Sequence, residues 1–157
     1  MDKCEGLGNG PIKFSSRHYR TVYQYIGDFS SELPDNYFDL VFSISSLEHT
    51  AEEPQTRADI LEDITRVLKP GAASFHLLDI VARPNSQTWV NGLIPYLYQN
   101  APLITRAPSP YEIIADPDTY YMSESAFDTY WLPAVKAPYR DYGRPLSATL
   151  YWRREGS

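Results

Sequence analysis

Cysteine is almost absent from this sequence, and its scarcity limits what the chain can be. Cys4 is the single cysteine among 157 residues, so an internal disulfide is excluded and a reducing compartment is expected. The three histidines, His18, His49 and His76, are too scattered to give metal-ligand spacing with it. We therefore predict no metal site.

Long apolar runs and an excess of positive charge are also missing. No stretch approaches the roughly 20 apolar residues that a membrane helix needs, and the polar N-terminus is not a signal peptide. Twenty acidic and fourteen basic residues give a net charge of −6, whose field repels nucleic acid and anionic membranes. We expect a cytoplasmic protein that engages neither nucleic acid nor a membrane.

The length and patterning predict a single domain over residues 1–157, with two weakly ordered parts. Residues 1–18 are poorly patterned, and residues 83–118 form an irregular, proline-containing insert. The 13 tyrosines suit either the wall of an organic-ligand pocket or an irregular core.

Apolar patterning predicts an α/β order of strand, strand, helix and strand. The first strand spans 19–28 and ends at Gly27-Asp28. The second, FDLVFSI over 38–44, is nearly continuous in apolar character, as expected for a strand covered on both faces. A helix over 53–68 ends at the breaker Lys69-Pro70-Gly71, and a third strand covers 72–81.

The second half of the chain has weaker signals. A broken helix is predicted over Gln87–Gln99, and Ser123 is a helix N-cap before an amphipathic segment. Residues 134–140 and 146–153 have the pattern of an antiparallel strand pair.

An ordered set of short motifs carries the strongest functional signal. Gly27-Asp28-Phe29 is followed by Leu33-Pro34, then by FDLVFSISSLEHT from Phe38, and then by RVLKPG ending at Gly71. Each element alone is weak, but their order and spacing resemble the small-molecule branch of the class I S-adenosylmethionine-dependent methyltransferases. The resemblance implies a Rossmann-like sheet with parallel strands and a C-terminal antiparallel strand pair, and S-adenosylmethionine as the cofactor.

The resemblance also implies site residues. Asp28 matches the carboxylate that accepts a hydrogen bond from the adenine amino group, and Phe29 matches its neighbour; Asp28 as a simple turn cap is the alternative. Ser45 and Ser46 match positions that line the cofactor. His49 is the candidate for acid–base work because histidine titrates near neutral pH, although Leu-Glu-His often serves local structure instead.

Two further polar residues are predicted to be structural. His76 lies in the middle of a predicted strand and is expected to be a core histidine. Asp39 is expected to brace backbone amides at the start of the second strand, so that its loss would affect folding more than binding.

The glycine-rich first motif of the resemblance has no convincing counterpart. Gly6-Leu7-Gly8-Asn9-Gly10 follows no apolar strand, so we expect an N-terminally short sheet that begins near the family's third strand. Residues 40–44 would then form an exposed apolar edge. The 19–28 strand is expected to move against this edge, or another chain, such as a second copy in a homodimer, to pair with it.

Three interpretations follow. The chain is an active methyltransferase for a small-molecule acceptor, a piece of a longer one whose true start precedes Met1, or a non-catalytic binding or dimerisation module. Methyl transfer depends mainly on proximity and orientation, so few catalytic side chains are expected. Aromatic residues of the second half are expected to wall the acceptor site: Trp89, Tyr96, Tyr98, Tyr111, Tyr120 and Tyr121.

Overall fold

The computed structural model of the protein describes residues 20–50, 53–83 and 110–156. Its strands are β1 (Phe38–Ile44), β2 (Leu68–Ala82) and β3 (Arg144–Arg153). Its principal helix is α1 (Pro54–Val67), and a short 3-10 turn spans Leu47–His49. Four short helices follow: α2 (Pro110–Ala115), α3 (Glu124–Tyr130), α4 (Leu132–Val135) and α5 (Tyr139–Tyr142). None of the helices in these ranges is long and apolar enough to cross a membrane.

β2 is the central strand of the sheet that the described residues form, with the order β1-β2-β3. β1 runs parallel to β2 and places Phe42 opposite Phe75. β3 runs antiparallel on the other side and places Tyr151 opposite Phe75. The helix α1 supplies the crossover that a parallel pair requires. The predicted α/β fold class, a Rossmann-like sheet with parallel strands, is confirmed. The C-terminal strand is antiparallel, but its partner is β2.

The hydrophobic core lies between α1 and one face of this sheet. Ile60 and Ile64 of α1 are almost fully buried and belong to one cluster with Leu78 of β2 and Trp152 of β3. Pro54 is tolerated in the first turn of the helix because the first backbone N–H groups have no intrahelical partner. Full burial of each large aliphatic side chain contributes about 1.5–3 kcal/mol.

The opposite face of β1 is uncovered by the described residues. Leu40, Phe42 and Ile44 are 51%, 63% and 58% exposed, whereas Val41 packs against the core. The expectation that β1 is covered on both faces is therefore wrong for this part of the molecule, because its burial alternates from residue to residue.

The predicted strand over 19–28 is wrong where the structure describes it. Residues 20–28 contain no strand and end in a turn, in which the Asp28 backbone N–H donates to the Tyr25 carbonyl at 3.2 Å. β-branched and aromatic residues form strands only where a neighbour pairs with them. Within the described sheet β1 pairs with β2 alone, so the expected movement of the 19–28 segment onto the 40–44 edge does not occur.

The strand predicted over 134–140 is also wrong. This segment contains the end of α4 and the start of α5, separated by Lys136 in the left-handed region at φ 55°. Its aromatic neighbours pack on one another: Phe127 is fully buried against the rings of Trp131, Tyr139 and Tyr142. β3 therefore pairs with β2 and not with residues 134–140.

Other boundaries agree with the sequence or refine it. The Ser123 hydroxyl accepts from the Ala126 backbone N–H at 3.3 Å and caps α3, as predicted. β2 begins immediately after α1 ends, so Lys69-Pro70-Gly71 lies inside the strand, where the β1–β2 register is irregular. The insert over 83–118 contains α2, whereas the predicted helix at Gln87–Gln99 lies outside the described residues.

Candidate functional site

A cavity of about 630 Å³ lies between the turn that ends at Asp28, the 3-10 turn after β1, and the first half of α1. Pockets for small organic ligands are typically about 300–1,000 Å³. Ile26, Leu47 and Ile60 give the cavity apolar walls, and Asp28 and His49 add polar groups. The arrangement suits a mostly apolar ligand that carries a hydrogen-bond donor.

The Asp28 turn has an unusual backbone on both sides of the aspartate. Gly27 has φ 97° and Phe29 has φ 51°, both in the left-handed region. Gly27 also lies tightly against α1, since a Cβ at this position would be 3.1 Å from the Ile60 backbone nitrogen. Only glycine meets both requirements without cost.

Asp63 of α1 anchors this turn. Its side chain is fully buried, and its Oδ2 accepts the backbone N–H groups of Gly27 at 2.7 Å and Phe29 at 3.2 Å. Its Oδ1 accepts from Nε and Nη2 of Arg66 at 2.9 and 2.8 Å. Our reading of the sequence missed Asp63. The signal that identifies it is a carboxylate on the apolar stripe of α1, beside Ile60 and Ile64.

Arg66 joins the same anchor to the Leu33-Pro34 motif. Its guanidinium donates to the Leu33 carbonyl at 2.7 Å and forms an ion pair with Asp35. The hydrogen bond with Asp35 raises the pKa of Arg66 above its ordinary value, and Asp63 adds to this effect. The arginine therefore stays charged, as pairing with a buried carboxylate requires.

The carboxyl end of β1 forms another wall. The Ser45 backbone, at φ 46°, donates to the Leu77 carbonyl at 2.9 Å, while the Ser46 hydroxyl donates to the Ile44 carbonyl. Ser46 lines the cavity, and Ser45 is not among its lining residues.

His49 and Glu48 continue this segment with opposite burial. The His49 side chain is 76% exposed at the cavity, and its Nε2 lies 3.9 Å from Glu48 Oε1. Glu48 is buried, and its Oε1 accepts from the Asp79 backbone N–H at 3.4 Å. Its Oε2 has no hydrogen-bond partner among the described residues.

The structure thus brings three of the predicted site residues, Asp28, Ser46 and His49, to one cavity. Phe29 is adjacent but 40% exposed and is not among the lining residues. Tyr120 is exposed on the surface, and Tyr121 packs its ring under the Arg144 guanidinium at 4.0 Å, so neither walls this cavity. Three of the other aromatic residues predicted at the acceptor site lie outside the described residues: Trp89, Tyr96 and Tyr98. The side chain of Tyr111 is likewise outside the described part of the structure.

The two polar residues predicted to be structural behave differently. His76 is buried as predicted, with Nδ1 2.8 Å from the Ser43 hydroxyl and Nε2 2.7 Å from the Ser74 hydroxyl. Burial lowers the pKa of His76 to about 4, so the ring is neutral. The bracing role of Asp39 is wrong, since its exposed carboxylate pairs with Lys69 Nζ at 2.7 Å.

Metal ligands are not clustered in the described part of the chain, where no three His, Cys, Asp or Glu side chains are placed to hold an ion. His18 and Cys4 lie outside the described residues.

Residues 9–75 match a family model described as a methyltransferase domain. The matched range includes the Asp28 turn, β1, the 3-10 turn and all of α1. No curated protein sequence shows a significant match to the chain.

Several solved structures are similar to this chain at low identity. They include a candidate sarcosine dimethylglycine methyltransferase from Galdieria sulphuraria (14% identity, TM-score 0.45). They also include the 4+2 cyclase SpnF (17%, 0.46) and a SAM-dependent methyltransferase from Methanosarcina mazei (15%, 0.42). The similarity covers 81%, 82% and 82% of this chain and 57%, 54% and 65% of those chains. The chain thus spans less than two thirds of the length of each.

Proposed function

We propose that this chain belongs to the class I S-adenosylmethionine-dependent methyltransferases, that it binds S-adenosylmethionine in the cavity beside Asp28, and that it serves methyl transfer to a small-molecule acceptor. The family model of a methyltransferase domain, which matches residues 9–75, supports this proposal. The observation that carries the proposal is the meeting of Asp28 and His49 at one cavity. These two residues come from separate motifs, before and after β1, and no local structure requires them to share a pocket.

The lining residues fit the adenosine part of the cofactor. An adenine ring is flat and apolar and carries an exocyclic amine, so it needs apolar walls and a hydrogen-bond acceptor. Leu47 and Ile60 supply such walls, and the Asp28 carboxylate supplies the acceptor. When bound, the cofactor supplies a methyl group on a positively charged sulfur.

His49 is the residue suited to move a proton in this site. Its exposed imidazole lies at the cavity, and its Nε2 is 3.9 Å from Oε1 of Glu48. We propose that His49 would take the proton that an O–H or N–H acceptor loses when it receives the methyl group. The C–S bond of the cofactor would break in the same exchange, and the demethylated thioether would be the leaving group. Replacement by glutamine is expected to lower kcat while KM for the cofactor stays within about twofold.

Isothermal titration of the purified chain with S-adenosylmethionine, and with its demethylated product, tests the proposal. We expect micromolar binding that Asp28→Ala weakens by about tenfold or more, because a charge-assisted hydrogen bond is lost. Asp128→Ala on α3, an exposed carboxylate that does not line the cavity, is the matched control and should bind like the wild type. A folded wild-type sample that gives no binding heat would overturn the proposal.

A second candidate function is self-association through β1, and the uncovered Leu40, Phe42 and Ile44 favour it. An antiparallel pairing of β1 with a second copy, centred on Phe42, places Phe42 opposite itself and Leu40 opposite Ile44. The three exposed apolar side chains then lie opposite exposed apolar side chains of the second copy, as cross-strand pairs do in a sheet. Neither proline nor lysine occurs in FDLVFSI to protect the edge.

Sedimentation velocity over a range of concentrations tests this pairing. We expect a dimer in the wild type and a monomer after Phe42→Lys, since the two introduced charges would face each other across the axis. Tyr120→Lys, at a surface residue outside β1, should leave the dimer intact. A wild type that stays monomeric at all concentrations would exclude the pairing.

A further inference from the structure

We infer that Asp63 is a positioning residue of the cofactor site, which it serves by holding the Gly27–Phe29 turn in the conformation that presents Asp28 to the cavity. The inference rests on the proposed function, because it assigns a role within the same site. It adds a residue that does not contact the cavity and that the motif resemblance did not indicate.

Backbone strain shows that contacts from outside the turn must stabilise its conformation. A bulky residue such as Phe29 rarely adopts φ 51°, and Gly27 at φ 97° precedes it by two positions. Such conformations persist where the surrounding structure over-determines them, and they cluster at ligand sites. Here Gly27, whose φ only glycine adopts readily, and the strained Phe29 flank the single carboxylate of the turn, Asp28.

Hydrogen bonds that Asp63 accepts fix the turn in this conformation. Its Oδ2 accepts from the Gly27 and Phe29 backbone N–H groups together, so one oxygen fixes both sides of Asp28. A fully buried carboxylate is costly unless every lone pair is engaged, and Arg66 engages the other oxygen twice. With both oxygens committed, Asp63 acts on the ligand only through the turn.

The charge of Asp63 also suits this role better than a neutral side chain would. Both turn groups are N–H donors, and an ionised carboxylate accepts from both without presenting a donor of its own. In Asp63→Asn the amide nitrogen would face either the two turn amides or the guanidinium of Arg66. One of these contacts becomes donor against donor, although the side chain keeps its size.

The experiment compares Asp63→Asn with Val67→Ala, which removes buried volume from the same helix without touching the turn. Each variant is titrated with S-adenosylmethionine and is melted by circular dichroism. We expect Asp63→Asn to bind about tenfold more weakly or worse, and Val67→Ala to lose thermal stability while its affinity stays within about twofold. Asp63→Glu, which keeps the charge but displaces it, should fall between the wild type and Asp63→Asn.

Equal affinity in the wild type and a folded Asp63→Asn would overturn the inference, as would an equal loss in the destabilised Val67→Ala. Amide hydrogen exchange in the wild type tests the same inference without any variant or ligand. The Gly27 and Phe29 amides should exchange about 100-fold or more slowly than unstructured amides. Fast exchange would overturn the positioning role even if Asp63→Asn does not fold. Slow exchange without cofactor binding in the wild type would instead contradict the proposed function.

Discussion

Asp63 Oδ2 lies 2.7 Å from the backbone nitrogen of Gly27, across 36 positions of sequence. This contact ties the middle of α1 to a turn that contains no regular secondary structure. Since Ile60, one helical turn earlier, lines the cavity, the same helix both walls the site and holds its carboxylate-bearing turn. The geometry of the site therefore depends on how the turn packs against α1.

Replacement of Gly27 by alanine should be strongly destabilising. The new Cβ would lie 3.1 Å from the Ile60 backbone nitrogen, and the residue would keep a left-handed φ of 97°. Strain and overpacking together are expected to lower the free energy of unfolding by about 2–4 kcal/mol in urea denaturation. Gly71→Ala is the control, since Gly71 has φ 78° but nothing within 4 Å of its Cβ position, so only about 1 kcal/mol should be lost. Equal losses would contradict the close packing of the turn on α1.

Loss of Arg66 should cost more than loss of its exposed partner. Arg66→Met leaves the buried Asp63 carboxylate without its guanidinium, which typically destabilises a protein by about 3–5 kcal/mol. Asp35→Ala removes an acidic side chain that is 65% exposed and should cost less than about 1 kcal/mol. Chemical denaturation of both variants checks the order, and a smaller loss for Arg66→Met than for Asp35→Ala would contradict it.

Stability should fall in mild acid because of His76. Burial lowers the pKa of this histidine to about 4, below the usual value of 6.5 that it regains on unfolding. Between these two values the unfolded chain binds more protons than the folded one, so protonation favours unfolding. The contribution of neutral His76 to the free energy of unfolding is therefore complete above pH 6.5 and is lost as the pH falls towards 4. The loss should approach about 3 kcal/mol.

Denaturation midpoints measured from pH 7.5 to 4 give the slope of stability against pH and check this prediction. His76→Gln should flatten the slope, whereas His49→Gln, at an exposed histidine, should retain it. An unchanged slope in His76→Gln would assign the acid sensitivity to other groups.

Substitution of Asp39 should be nearly silent. Its exposed carboxylate pairs with Lys69 on the surface, and such pairs contribute about 0–1 kcal/mol. Asp39→Ala should therefore shift the free energy of unfolding by less than about 1 kcal/mol, and less at high salt. A loss of several kcal/mol would restore the bracing role that the sequence suggested.

Local sequence signals predicted the parts of the fold that local physics determines. The strand at 38–44 and the cap at Ser123 follow from apolar patterning and from a side chain that accepts the first free amides. The strands predicted over 19–28 and 134–140 failed because strand formation depends on a partner. The first segment is hydrogen-bonded to Asp63 of α1, and the second packs the ring of Tyr139 against Phe127.

The site was partly predictable, because sequence motifs identify residues within a segment but not the contacts between distant segments. Asp28 and His49 were identified by motif order, and the structure brings both to the cavity. Asp63 was not identified, because a single acidic residue in a helix usually faces solvent. Only the folded chain shows that its carboxylate lies between the turn and Arg66.

We propose that the cavity beside Asp28 holds the adenosine part of S-adenosylmethionine, and backbone amide shifts during titration of ¹⁵N-labelled protein would locate the bound cofactor. We expect saturable shifts concentrated at Gly27, Asp28, Leu47, His49 and Ile60, with little change at β3. Shifts confined to other surfaces, or none at millimolar cofactor in a folded sample, would contradict it.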